Sequence, residues 1–241
     1  MPKFNDMNTD MMHDVLALAE PKEITLDGRP YTTGKVHPVL NPTPDTLRVS
    51  TLTAVKDYLH SNRDNLAIET LIVHVAGPTK VRVLSTLLGD FEQRACHLVA
   101  EPMLPDYGRA LDNWWASEDF IPLLQSLFLE TPHQKALLRL LGSVRIDNGA
   151  DLKDDGMTQT VTIKTGAAFM ESAEIPNPVT LKPYCTFPDV EQPNRLFTFR
   201  MKDNASCRLI EADGGAWKQV AALSVKDWLE ETLPEGVTVI A

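Results

Sequence analysis

The sequence predicts an α+β protein in which mainly antiparallel sheet is the larger element and helices pack on one face. Three observations carry this expectation. From Leu71 to Ala212 most segments are short runs in which apolar and polar residues alternate, the pattern of half-buried strands. Turn dipeptides punctuate the chain, among them Asp27-Gly28, Asn148-Gly149, Asp155-Gly156 and Asp213-Gly214. A few stretches instead carry apolar residues at a spacing of three and four, which marks helices with one buried stripe.

Residues Thr9–Glu20 read as a short helix, with Met12, Val15, Leu16 and Ala19 on one stripe, a cap at Thr9 or Asp10, and a stop at Pro21. The stripe needs cover, from the core or from another subunit. Residues Pro21–Leu47 are rich in Pro and Gly. Asp27-Gly28 suits a hairpin, and Pro38, Pro42 and Pro44 enforce extended chain beyond it. The expected organisation is therefore an N-terminal helix and Pro-rich extended arm over 1–47, acting as a linker or crossing onto a neighbour. An α+β body follows over 48–241, divisible into 48–112 and 113–241.

Within the body, Ser50 can cap a helix through about Ser61, with Leu52, Val55 and Leu59 on one face. Strands are then expected at Leu71–Ala76, Lys80–Leu88 and Phe91–Ala100, close enough in sequence to form a meander. Trp114–Leu141 reads as helical. Ser117 or Asp119 can cap the first helix, and Thr131-Pro132-His133-Gln134 fits a capping box with Pro at the first helical position. Strands return at Val144–Asp147, Ala150–Leu152, Thr158–Thr165, Thr180–Phe187, Arg195–Met201 and Ser206–Ala212. Ser224 opens an expected last helix to Leu233, and Gly236–Ile240 can return as a strand.

Composition narrows the function classes. The chain has 241 residues, 43% of them hydrophobic, and a formal charge of −10. Such a chain can build a substantial core, while its charge repels phosphate backbones and disfavours a nucleic-acid partner. No apolar run reaches the length of a bilayer span, so no membrane role is expected. Cys96, Cys185 and Cys207 are odd in number and have no CxxC spacing. Three reduced thiols in a cytoplasmic setting are the expectation.

Candidate chemistry is sparse. Asp147, Asp151, Asp154 and Asp155 form an acidic run, but Lys153 and Thr162 break the calcium-loop pattern, and solvated turns explain it as well. His74 and His97 lie on expected strands with no third ligand in view. Cys96 and His97 adjoin, so on a strand they face opposite ways; His74 could approach Cys96 from a neighbouring strand, but the expectation is that Cys96 is a small buried apolar residue. No Walker loop, GxGxxG or GxSxG occurs. No catalytic residue, metal or cofactor is assigned. The segment Asp106–Trp115 stands out instead: Tyr107, Arg109, Trp114 and Trp115 are types that dominate binding hot spots and can stack a nucleobase. They are the candidate ligand-binding residues. Anchoring of helices to sheet by the two tryptophans is the alternative.

Several segments carry a resemblance: STLTAVKDYL at Ser50–Leu59, the strands around Val73–Val83, KALLRLLGSVRIDNG at Lys135–Gly149, IPNPVTLKPYCTF at Ile175–Phe187 and LFTFRMKDNASCRLI at Leu196–Ile210. In these the chain, over about residues 35–240, resembles a family of uncharacterised phage and prophage proteins. The resemblance implies a product of a phage early or accessory region, near recombination or replication genes. That family supplies no catalytic residues to transfer. The expected function is non-enzymatic: binding of a host or phage protein, or of a small nucleotide, with a counter-defence role and self-association into a homo-oligomer. A single-stranded nucleic-acid accessory factor and an enzyme of another type are the alternatives.

Overall fold

The structure is a computed structural model, which describes residues 22–32, 37–38, 42–143, 150–154, 158–165, 169–202 and 205–241. Only the backbone is described for 37–38 and for the strands between 150 and 175. The Thr9–Glu20 helix, the turns at Asn148-Gly149, Asp155-Gly156 and Asp203-Asn204, and the side chains of the acidic run lie outside the described residues. The fold is α+β with mostly antiparallel sheet. The chain forms two compact units, one of residues 1–45 and 85–95, the other of 46–84 and 96–241.

In the smaller unit β1 (Glu23–Leu26) and β2 (Arg29–Thr32) form the hairpin expected at Asp27-Gly28. Both turn residues adopt positive φ, 51° and 78°, which Asp tolerates and Gly adopts freely. β3 (His37–Pro38) pairs with β2. Residues 85–95 belong here, where the sequence led us to expect strand on both sides of a short turn. Gly89 and Glu92 take positive φ in a tight turn that Leu88 and Gln93 close through a β-bridge. Ser85 closes the neck of the excursion: its N–H donates to Ala95 O at 3.0 Å and its Oγ accepts from Ala95 N at 2.9 Å. Tyr31 meets Phe91 edge-on at 5.9 Å.

The larger unit holds two five-stranded sheets. The first contains β4 (Leu47–Val49), β5 (Ile72–Gly77), β6 (Lys80–Leu84), β7 (Cys96–Ala100) and β16 (Thr238–Ile240), in the order β16-β5-β6-β7-β4. The expected meander is its centre, and the outer strands add in parallel. Val73, Val75, Val81, Val83, Leu98 and Ala100 form its buried face. That face packs on Leu52, Val55 and Leu59 of α1 (Leu52–Ser61) and on Val225 and Leu229 of α4 (Trp217–Thr232). Each such Val or Leu contributes roughly 1.5–3 kcal/mol by leaving water.

The second sheet contains β8 (Trp115–Ala116), β9 (Phe128–Leu129), β13 (Val179–Pro183), β14 (Arg195–Met201) and β15 (Ser206–Glu211), in the antiparallel order β8-β15-β14-β13-β9. Its inner face, with Phe197, Phe199 and Leu209, is covered by α2 (Ser117–Leu127) and α3 (Pro132–Ser143) through Phe120, Leu124, Leu137 and Leu140. A separate antiparallel sheet joins β10 (Ala150–Asp154), β11 (Thr158–Thr165) and β12 (Phe169–Pro176).

The helix starts differ from expectation in instructive ways. Thr51, not Ser50, caps α1 by accepting Ala54 N–H at 3.1 Å. Asp189 reaches the same helix start from far along the chain. Its carboxylate accepts Leu52 N–H at 3.1 Å, Thr53 N–H at 3.0 Å and the Thr53 hydroxyl at 2.6 Å. Ala116 occupies the cap of α2, because the Ser117 hydroxyl is committed to Ala205 O at 2.6 Å. Thr131 caps α3 as expected, accepting Gln134 N–H at 3.0 Å, but Gln134 turns its amide to Leu124 O and ties α3 to α2. α4 begins at Trp217 after the Asp213-Gly214-Gly215 turn, so Ser224 lies mid-helix and donates to Val220 O at 3.1 Å. Because α4 and β16 return to the first sheet, the two cores do not divide at residue 112.

Candidate functional site

The end of the second sheet is held by one buried cation. Arg195 opens β14 with its side chain fully buried. Its Nε and Nη2 donate to the two carboxylate oxygens of Asp213 at 2.8 and 3.1 Å, Nη2 also meets Glu211 at 3.0 Å, and Nη1 donates to the Tyr107 hydroxyl at 2.7 Å. The guanidinium lies 4.6 Å from the ring centre of Trp217, 5.2 Å from Phe197 and 5.5 Å from Tyr107. The Arg195 bond holds Asp213 below the usual carboxylate range. Burial pushes the Tyr107 hydroxyl up. Burial likewise raises the thiol of Cys185, which packs with Trp217, and that of Cys207 in the sheet core, both to about 12. Arg195 thus ties β14, the turn before α4 and the Tyr107–Ala110 turn into one cluster.

This cluster sorts the four residues singled out from sequence. Tyr107 points inward to Arg195. Trp115, on β8, packs on the sheet core, and its buried Nε1 meets no hydrogen-bond partner among the described residues. Arg109 is exposed on the Tyr107–Ala110 turn. Trp114 is 40% exposed, with the Lys202 ammonium 3.9 Å and the Arg208 guanidinium 6.0 Å from its ring centre. The structure therefore brings Trp114 together with Lys202 and Arg208, and separates it from the inward-facing Tyr107 and Trp115.

The pairing follows from register. Ser206 lies opposite Ala116 and Cys207 opposite Trp115, so Arg208 comes next to Trp114 on the outer face. Arg208 also bonds Asp112 at 3.4 Å and lies directly across from Arg200 on β14. The outer face continues over Thr198, Leu196 and Thr180 to Lys182, which pairs with Glu191.

There the sheet opens into a cleft of about 400 Å³, lined by Glu130, Thr131, His133, Thr180, Lys182 and Asn194 among others. Two side chains of the α3 start complete the main-chain bonding of Thr180. His133 Nδ1 accepts its N–H at 2.7 Å, and the Thr131 hydroxyl donates to its carbonyl at 3.4 Å. Neutral His133 therefore carries its proton on Nε2. A second cleft, of about 330 Å³, adjoins along Lys135 and Arg139, with Glu130 paired to Lys135.

The remaining candidates are spread apart. β6 separates His74 from His97 and Cys96, so His74 faces Arg82 instead. All three cysteines are free; Cys185 and Cys207 are buried, whereas Cys96, expected to be buried, is only half-buried. Among the described residues no group of three or more His, Cys, Asp or Glu side chains is placed to hold a metal ion, and no helix is long and apolar enough to cross a membrane.

No protein-family model, curated protein or solved structure matches this chain.

Proposed function

We propose that this protein acts by binding rather than by catalysis, as a phage accessory protein whose ligand is a small nucleotide seated against Trp114. One observation carries the reading: a half-exposed indole with an ammonium 3.9 Å from its ring centre and a guanidinium beside it. An exposed aromatic face stacks a planar base, while the two cations neutralise phosphate. The lysine stem is flexible enough to swing from ring to phosphate. A non-catalytic role draws support from the spent chemistry nearby. The buried thiols resist ionisation, His133 Nδ1 is engaged by Thr180, and the Arg195 carboxylates are committed to that arginine. The phage setting, the cytoplasmic location and the counter-defence role rest on the resemblance of the quoted segments. Self-association belongs to the same reading, because among the described residues strand β16 ends its sheet.

The test is titration of the protein with thymidine and adenosine monophosphates, read by tryptophan fluorescence. Saturable quenching that disappears in Trp114→Phe, with the Trp115, Trp217 and Trp228 emission retained, is the expected result. Quenching that survives the substitution places the ligand elsewhere, and no quenching at millimolar nucleotide rejects the nucleotide.

A further inference from the structure

We infer that His133 is a pH-operated clasp: as the neutral ring it holds the start of α3 to the edge of β13, and as the charged ring it lets go. This clasp sits at the opposite edge of the second sheet from Trp114 and does not depend on the nucleotide reading.

The clasp stands where a strand stops. β9 pairs with β13 over Leu129↔Lys182 and Phe128↔Pro183, and the chain then turns at Glu130 into α3. In an antiparallel pair every second residue turns its N–H and C=O to the same neighbour. Tyr184 N–H donates to Leu127 O at 3.2 Å on the β9 side, so Lys182 and Thr180 present their main chain to that side as well. β9 has no residue left to meet Thr180. Two side chains of the α3 start take the strand's place. His133 Nδ1 accepts the Thr180 N–H at 2.7 Å, and the Thr131 hydroxyl reaches its carbonyl at 3.4 Å. The first bond is short and the second is long, so His133 is the stronger tie.

This tie depends on the protonation state. Nδ1 accepts through its lone pair, which exists only while the ring is neutral and protonated at Nε2. A further proton sits on Nδ1 against the Thr180 N–H, two donors facing each other with no acceptor between them. The ring is half-buried, so solvent protons reach it. Glu130 and Lys182 line the same cleft, but Glu130 is paired with Lys135 and Lys182 with Glu191. Arg139 lines the adjoining cleft, one helical turn beyond Lys135. Among the described residues no carboxylate pairs with the His133 ring, so nothing holds the charged ring in place against β13.

The opening is local. Thr131 accepts Gln134 N–H at 3.0 Å, the Gln134 amide donates to Leu124 O at 2.9 Å, and Leu137 and Leu140 are buried in the second core. Helix α3 therefore stays formed and packed on α2 when His133 releases Thr180. What changes is the cleft of about 400 Å³ between them: its His133 wall is freed and the Thr180 main chain is bared to solvent. Imidazole changes charge between about pH 5 and pH 8, so the clasp works across the physiological range.

The experiment is hydrogen exchange of the Thr180 amide, followed by NMR of the full chain from about pH 8 to about pH 5 with the His133 ring nitrogens observed alongside. Dividing each rate by that of an unstructured chain at the same pH gives the protection of the amide. We expect a ring protonated at Nε2 alone at the alkaline end, and a protection of Thr180 that falls about tenfold as Nδ1 takes up its proton. The Leu140 amide, inside α3, should keep its protection. His133→Asn places an amide oxygen close to the Nδ1 position and does not titrate, so it should abolish the pH dependence. His133→Ala should leave the protection of Thr180 low throughout, with circular dichroism establishing that the variant is folded. Protection that stays level in the unaltered protein while His133 titrates overturns the clasp, as does a ring that gains no proton over the whole range. An equal fall in His133→Asn assigns the pH dependence to another group and overturns it as well.

Discussion

Arg195 grips both carboxylate oxygens of Asp213, at 2.8 and 3.1 Å, against the Trp217 ring. Removing the cation leaves the largely buried Asp213 carboxylate without its ionic partner and strips Tyr107 and Glu211 of theirs. Arg195→Ala should therefore destabilise the protein by about 3–5 kcal/mol, read as a lower urea midpoint. Arg195→Lys should recover part of the loss only, since an ammonium cannot make the two-pronged contact.

Asp189 governs acid stability at the start of α1. Burial opposes its ionisation, but the Thr53 hydroxyl and the Leu52 and Thr53 N–H groups prevail and hold it below the usual carboxylate range. Asp213 is depressed as well. A depressed carboxylate stabilises above its unfolded value, near about 4, and that contribution is lost as pH falls through the folded value. Asp189→Asn should cost about 1 kcal/mol at neutral pH and flatten the decline of stability below about pH 4, measured by urea unfolding across pH.

The alkaline side has the opposite sign. Burial first, then Asp64, raises Tyr58 to about 12, and burial raises Cys185 and Cys207 to about 12. Groups raised on folding stabilise below their unfolded values, so stability should fall as pH climbs from about 9 to about 12. In thiol labelling at neutral pH, half-buried Cys96 should react first, and Cys185 and Cys207 only on unfolding.

The adjacent tryptophans should separate cleanly. Trp115→Ala opens the second core and should cost about 3 kcal/mol or more. Trp115→Phe keeps most of the packing and removes a buried N–H that has no acceptor among the described residues, so its cost should be under about 1 kcal/mol. Trp114→Ala should also cost less than about 1 kcal/mol while abolishing ligand binding. Thermal unfolding of the three variants, beside the nucleotide titration, checks all of this.

Much of the scaffold was legible where local chemistry decides it. Asp27-Gly28 dictated its hairpin, the Thr131-Pro132 start of α3 appeared where expected, and β14 matched Arg195–Met201. What escaped depends on partners distant in sequence. Ser117 looked like a cap until Ala205, just before β15, offered it a carbonyl, and Asp189 carried no mark of its role 137 residues from Leu52. The same holds for the candidate site. Trp114 stood out by type, and alternation along β15 puts Arg208 on the face opposite Cys207. Their meeting needs the register of β8 on β15, which pairs segments about ninety residues apart and which local pattern cannot supply. Arg195 was hidden for a related reason: an arginine opening a strand reads as exposed unless its two carboxylates and its aromatic cover are already in place.

The most direct measurement is calorimetric titration of the full chain with adenosine triphosphate, followed by chromatography of the recovered nucleotide. Saturating heat, absent in Trp114→Ala, with the triphosphate returned intact, is the predicted result. Heat that Trp114→Ala leaves unchanged, or recovery of a hydrolysed nucleotide, contradicts a binding surface built on Trp114, Lys202 and Arg208.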